Sequence, residues 1–336
     1  MDTQTTLKFA KQIAATPDLV SLTFEGNTIQ DEAAVASLFQ NLKTFDKIEN
    51  LNIRQNRLTQ RVCEALCEGI THKKELRTVD LGENQIDDAM IAKIGAALRT
   101  HVRLHMLFLD NNRITEAGAA AVADCLKNKQ DLRVFNIDYN HIGVNGAAKV
   151  SEQLKNNYGL SKLYCDANVI GEEGCEKLAE CMEMMDSLKK VCIENNNIGD
   201  RGAIALSKAL EDNDTLLSLH LENNNISREG AYTLGEMISN KYKLSKLNLN
   251  ANPIGDEGFS RIARGIQDIE TLRIITLAST NITKASMPTL SSALANKRFL
   301  TKLLLDNNKL GPEGAKLLAK GLAANETLTN LHLANC

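Results

Sequence analysis

Cys192 and His220 share one offset within a spacing that recurs along the chain, and a thiol beside an imidazole is one pairing here able to make a nucleophile. Such a pair also needs a group to orient the imidazole and a pocket to hold a substrate, and the sequence marks neither. His332 falls at the same offset but several spacings further along, too remote to join them. No G-x-x-x-x-G-K-[ST] stretch is present to cradle a phosphate. No catalytic residue is assigned, and the chain is read as non-enzymatic, with no cofactor.

The eight cysteines raise the question of metal or disulfide chemistry. Cys63 and Cys67 are i, i+4 neighbours without a matching second pair, which is not a zinc spacing. Cys63 and Cys175 recur at an offset held elsewhere by Ala119, Ala147 and Ala203, and Cys67 at one held by Ala123 and Ala179. Cys165 takes a leucine offset. These read as small buried thiols. No metal is expected, and thiols of this kind imply a reducing compartment, the cytoplasm.

Carboxylates form the most regular set. Asp110, Asp138, Asp166, Glu194 and Glu222 follow one another at a constant interval, after Glu25, Arg54 and Gly82 at the same offset. On adjacent strands about 4.8 Å apart these charges stack side by side, which is unfavourable without cations to offset it. Lys162 and Lys190 are candidates for part of that. The column is either a solvated strand edge or a docking face for a basic protein or peptide. Beside it stand Met106, Phe108, Tyr139 and Tyr164, with Val134, in a chain of only 4% aromatic content. Apolar and aromatic residues bordering carboxylates have the composition of an interface hot spot. The candidate protein-binding residues are therefore Met106, Phe108, Asp110, Asp138, Tyr139, Tyr164, Asp166, Glu194, His220 and Glu222.

The elements that must position these residues are legible from the same spacing. The template L-x-x-L-x-L-x-x-N-x-L begins at Leu19 and Ile48, then recurs without a change of interval through Leu76, Leu104 and Leu132 to Leu328. The first interval is longer than all the others by a single position. A fixed period of this kind means a stacked array of about 12 repeats. Counting from each start, positions 3 to 7 alternate as a strand, so 4 and 6 point inward and 3, 5 and 7 outward. Parallel pairing through helical crossovers follows. After position 11 the apolar spacing turns helical, as at Ala119, Val122, Ala123 and Leu126. Thr59, Asp87, Thr115, Ser227 and Thr283 are N-cap candidates. Glycines at position 15, such as Gly146 and Gly202, cost helix propensity and imply close packing.

Asparagine at position 9, from Asn27 and Asn56 to Asn308, recurs between buried apolar residues and must have its amide matched. A ladder in which each side chain bonds the turn leaving its strand meets that need. The tenth repeat departs, with Thr280 for Asn, Ser286 for Gly and Pro288 four residues into its expected helix. Thr6, Phe9, Ala10 and Ile13 fall at inward helical positions, so residues 1–18 read as a helical half-repeat closed by Pro17. Residues 19–336 then hold the repeats of a single domain, the last one truncated.

The template, followed by I-G-x-x-G-A-x-x-L-A-x-x-L as in Ile198-Gly199-Asp200-Arg201-Gly202-Ala203-Ile204-Ala205-Leu206, resembles leucine-rich repeats of the ribonuclease-inhibitor type. The resemblance covers residues 5–336. It implies an α/β solenoid, a horseshoe with the parallel sheet concave and helices convex, that binds a protein ligand through positions 3, 5, 7 and 8. An alternative is a GTPase-activating protein resembling the Ran-specific family, suggested by Glu25-Gly26-Asn27-Thr28-Ile29 and Glu32-Ala33-Ala34. Its repeats are typically irregular in length and it usually ends in an acidic tail, whereas these keep one length and the chain closes on Leu-His-Leu-Ala-Asn-Cys. Net charge of -3 argues against a nucleic-acid partner. The polar N-terminus and the absence of a long apolar run imply neither a secretion signal nor a membrane span. The last repeat, with Leu331 and Leu333 facing inward and no polar cap after them, implies a longer protein, a covering partner, or self-association through uncapped ends.

Overall fold

The structure, a computed structural model, describes residues 4–5, 8, 11–12, 15–27, 29, 31–295 and 297–336. Thr6, Phe9, Ala10 and Ile13 of the expected N-terminal half-repeat lie outside them. The chain packs as two compact units, Met1–Asn168 and Val169–Cys336.

In the first unit the strands are β1 (Ser21–Thr23), β2 (Asn50–Asn52), β3 (Thr78–Asp80), β4 (Met106–Phe108), β5 (Val134–Asn136) and β6 (Lys162–Tyr164). Each pairs in parallel with the next, residue for residue at the repeat spacing. Between them run α1 (Glu32–Gln40), α2 (Gln60–Ile70), α3 (Asp88–Leu98), α4 (Ala119–Leu126) and α5 (Gly143–Leu154). In the second unit the strands are β7 (Lys190–Cys192), β8 (Ser218–His220), β9 (Lys246–Asn248), β10 (Ile274–Thr276), β11 (Lys302–Leu304) and β12 (Asn330–His332). They also pair in parallel, each with the next. Its helices are α6 (Gly171–Met182), α7 (Gly199–Ala209), α8 (Arg228–Ser239), α9 (Gly255–Asp268), α10 (Met287–Ala295) and α11 (Gly311–Ala323).

The strands are short because the same template must at once turn into a helix. Leu76, Val79, Leu81 and Ile86, at positions 1, 4, 6 and 11, are fully buried. Each contributes about 1.5–3 kcal/mol by leaving water. Neighbouring helices approach closely at position 15. A Cβ on Gly146 would sit 2.9 Å from the Ala119 Cβ, and one on Gly202 3.1 Å from the Cys175 Cβ. The position-9 ladder is present. Asn84 Nδ2 donates to Leu81 O, Gly82 O and, on the preceding repeat, Ile53 O. Asn112 Oδ1 accepts the N–H groups of Asn84 and Ile86 at 3.1 and 2.9 Å. In the second unit Asn252 Oδ1 likewise accepts from Asn224 and Ile226.

A second ladder, at position 26, escaped the sequence reading. Lys73, His101, Lys129 and Asn157 in the first unit, and Asn213, Lys241, Lys297 and Asn325 in the second, turn a polar atom back onto carbonyls of the preceding repeat. These are carbonyls at the helix ends and the turns after them, so the donors complete bonds the helices leave unmade. A mixture of Lys, His and Asn at one offset looks like surface variation. The shared property is a donor long enough to reach back one repeat.

Two expectations about helix starts are corrected. Thr59 and Asp87 do cap, accepting backbone N–H groups of the first turn, and Asp31, not among the expected caps, does the same for α1. Ser227 makes no such bond: its hydroxyl and N–H both donate to Asp200 of the preceding repeat. In the tenth repeat a short 3-10 turn, Lys284–Ser286, precedes the helix, so Pro288 is the second residue of α10, where its missing N–H costs nothing. Thr280 donates to Leu277 O, and its one hydroxyl does not replace an amide. The Ile254 N–H turns instead to Asn252 O at 2.8 Å.

Two outcomes test these ladders. Asn84→Ala removes donors to three carbonyls and should lower unfolding free energy by about 1–3 kcal/mol in chemical denaturation; a loss under about 0.3 kcal/mol would remove the ladder's role. Burial pushes the Lys129 ammonium down to about 8 from 10.5. Between those values the unfolded chain binds more protons than the folded one, so stability rises with pH there. The wild type should gain on the order of 1–3 kcal/mol relative to Lys129→Met from pH 8 to 10.5; parallel pH curves would contradict it.

Candidate functional site

The outward residues of each unit's strands lie on the sheet face opposite the helices. In the first unit the register sets Met106 beside Val134 and Phe108 beside Asn136, with Tyr164 next in the row. The residues between them, Leu107, Phe135 and Leu163, are fully buried in the core. Alternation therefore places Met106, Phe108 and Tyr164 as the sequence implied, each half-buried on the open face. Tyr139 sits on the turn beyond, 52% exposed, with a left-handed φ of 54°. A bulky residue in that conformation is uncommon.

Asp110 is corrected. It is only 3% exposed, and Arg54 from two repeats earlier grips it. Arg54 Nη2 donates to Asp110 Oδ2 at 2.6 Å and Nη1 to Oδ1 at 3.1 Å, a bidentate pair. The same guanidinium donates to Glu83 at 2.8 Å and lies 3.5 Å from Asp80. Gly82, between them in the column, makes room: a Cβ there would sit 2.2 Å from Nη1. The Asp110 bond raises the Arg54 guanidinium further above its ordinary range, while burial pushes the Asp80 carboxyl up. The order Arg, Gly, Asp was visible at one offset. Its meaning, an arginine bridging over a glycine, appears only once the strands are side by side.

Other position-7 side chains serve the backbone. Asp138 Oδ1 accepts the Asp166 N–H at 2.6 Å, Asn250 Oδ1 that of Ala278 at 2.8 Å, and Asp306 Oδ1 that of Ala334 at 2.6 Å. Where position 5 is Asn or Asp, it accepts its own repeat's position-7 N–H instead, as Asp80 does from Gly82 and Asn136 from Asp138. Position 5 is Tyr164, Thr276 and His332 in the three repeats served from outside. These backbone bonds give Asp138, Asn250 and Asp306 a structural role without any ligand.

In the second unit Glu194, His220 and Glu222 come together. His220 Nδ1 lies 3.2 Å from Glu194 Oε1, and Asn248 Nδ2 bridges Glu194 Oε1 and Glu222 Oε2 at 2.8 and 2.9 Å. The His220 hydrogen bond holds the Glu194 carboxyl below its usual range. Cys192, expected on the outward face, is buried at 4% exposure, so the thiol offers no open nucleophile to pair with His220. The imidazole meets Ser218, which the sequence reading passed over although Ser and His two apart share a strand face. The cysteines at alanine and leucine offsets, Cys63, Cys67, Cys165 and Cys175, are buried as expected.

With this geometry in view, comparison with known proteins is informative about class. Residues 187–207, 212–235, 243–263 and 296–319 match the family profile described as Leucine Rich repeat. The sequence matches no curated protein. An internalin from Listeria monocytogenes is similar in structure, with TM-score 0.56 and 18% identity over 97% of this chain and 89% of that one. A leucine-rich repeat protein of Leptospira interrogans gives TM-score 0.51 and 17% identity over 94% and 85%. The chain has the α/β solenoid fold of leucine-rich repeat proteins, and four of its stretches match that repeat's profile.

Removing the arginine that gathers Asp80, Glu83 and Asp110 leaves the buried Asp110 carboxylate uncompensated. Arg54→Ala should lower unfolding free energy by about 2–4 kcal/mol. A change below about 0.5 kcal/mol in urea denaturation would show that the cluster is an ordinary surface network.

Proposed function

We propose that this protein is a binding scaffold that takes a protein ligand on its open strand face, the side the repeat class makes concave. The observation that carries the reading is the patch of Met106, Val134, Phe108 and Tyr164 on adjacent strands, with Tyr139 exposed on the turn beside it. Side chains at these positions do not build the core, since Leu107, Phe135 and Leu163 already fill it. Apolar and aromatic side chains left on a sheet face are stabilised by a partner's surface.

The ligand we infer is a segment with apolar side chains to cover Phe108 and Tyr164 and a basic residue near Asp138 and Asp166. Asp110 is left out of that contact, because Arg54 already neutralises it. Cysteines held as free thiols support a reducing, cytoplasmic setting. No helix among the described residues is long and apolar enough to cross a membrane.

Affinity capture with the wild-type chain as bait, followed by titration of the captured partner, tests the site. Phe108→Ala and Tyr164→Ala should each weaken binding by about tenfold or more, with unfolding free energy changed by less than about 1 kcal/mol. Unchanged affinity alongside a large stability loss would move both residues from the interface to the fold.

A further inference from the structure

On the open face of the second unit, Ser218 and His220 stand two apart on β8 and point the same way. Ser218 Oγ lies 2.7 Å from His220 Nε2, and His220 Nδ1 lies 3.2 Å from Glu194 Oε1 on the turn after β7. Asn248 Nδ2 donates to the same carboxylate oxygen at 2.8 Å and fixes its position. A carboxylate can only accept, so the imidazole proton sits on Nδ1 and the Nε2 lone pair faces the serine hydroxyl. This order of hydroxyl, imidazole and carboxylate is the arrangement that turns a serine into a nucleophile, recognised by geometry rather than by sequence order. The Glu194 carboxyl, held below its ordinary range chiefly by the His220 bond, is ionised at neutral pH and able to stabilise an imidazolium.

The neighbouring strands add charge. Register places Lys190 on β7 and Lys246 on β9 directly beside Ser218, each strand about 4.8 Å away. The Ser218 N–H is already bonded to Lys189 O at 3.1 Å, so the strand backbone offers a developing oxyanion no donor there, and the positive charge beside it comes from the flanking lysines. Ser218 is itself buried, at 7% exposure, so only a small reactant can reach its Oγ.

We propose that Ser218 is an acyl-accepting nucleophile, with His220 as its general base and Glu194 as the positioning residue, acting on small esters that carry a negative charge for Lys190 and Lys246. Oγ forms a bond to the ester carbonyl carbon while its proton passes to His220 Nε2. The carbonyl oxygen becomes an anion facing the ammonium groups. The carbon–oxygen bond to the alcohol then breaks, and the leaving oxygen takes the proton from Nε2. Water, deprotonated by the same nitrogen, cleaves the acyl-serine to release the acid and restore Ser218. No oxidant, metal or second cofactor is required. The site stands in the second unit and is independent of the binding patch around Phe108.

The intact chain mixed with nitrophenyl acetate tests the proposal. The expected result is a burst of nitrophenolate and one acetyl group on Ser218 that hydroxylamine releases, as it releases esters but not lysine amides. His220→Gln should slow acetylation about 100-fold, and added imidazole should restore part of the rate. Restoration separates lost base catalysis from a structural defect, and circular dichroism of Ser218→Ala and His220→Gln shows that they fold. A wild type with no hydroxylamine-labile acetyl on Ser218, or a His220→Gln chain acetylated at the wild-type rate, overturns the nucleophile. The mono-nitrophenyl ester of succinate should react faster than the acetate, and lose that advantage in Lys246→Ala; equal wild-type rates overturn the anionic substrate class.

Discussion

A chain that leaves a short strand and enters a helix within a few residues exposes backbone N–H and C=O groups that neither element pairs. The position-9 asparagine meets that constraint, and everything else in each repeat is arranged around it. One primary amide reaches carbonyls of its own turn and of the preceding repeat, while its oxygen accepts N–H groups of the preceding turn, as Asn84 and Asn112 do. An unmet buried amide costs about 1–3 kcal/mol, so the turn is fixed, and the strand before it can be short. The tenth repeat shows the converse. Thr280 keeps one carbonyl bond but lacks the second donor, and the adjoining Ile254 N–H rearranges within its own turn.

Regularity inside leaves the outward positions free to differ, within limits. In several repeats the position-7 backbone N–H finds its acceptor at position 5 of its own repeat or at position 7 of the one before. Aspartate and asparagine therefore recur there for a structural reason, and a row of carboxylates is weak evidence of a ligand. The apolar side chains at positions 3 and 5 of β4 to β6 have no such backbone duty. Those residues are the better pointers to an interface, and the Arg54 cluster beside them fixes the carboxylates that would otherwise repel one another.

The fold was almost wholly legible in the sequence, because each repeat states the same physics: inward residues at 4 and 6, an amide at 9, a glycine where helices meet. Phe108 and Tyr164 could be placed on the open face from alternation alone. What could not be read were relations between repeats. Asp110 and Arg54 are two repeats apart, and only the register brings the guanidinium over Gly82 to meet the carboxylate. Cys192 alternates outward yet is buried. Ser218 became chemically interesting only through a 2.7 Å approach to an imidazole. The position-26 ladder was hidden because lysine, histidine and asparagine look unlike one another while performing one task.

Residue-resolved amide hydrogen exchange probes the asparagine ladder most directly. The N–H groups of Asn56, Asn84, Ile86, Asn196, Asn224 and Ile226 lie in turns, outside any strand or helix, and each is bonded to the amide oxygen of the next repeat's asparagine. They should exchange as slowly as the core strands, with free energies of opening near that of global unfolding. Exchange at the rate of an unstructured peptide would contradict the ladder as the interaction that holds the repeats together.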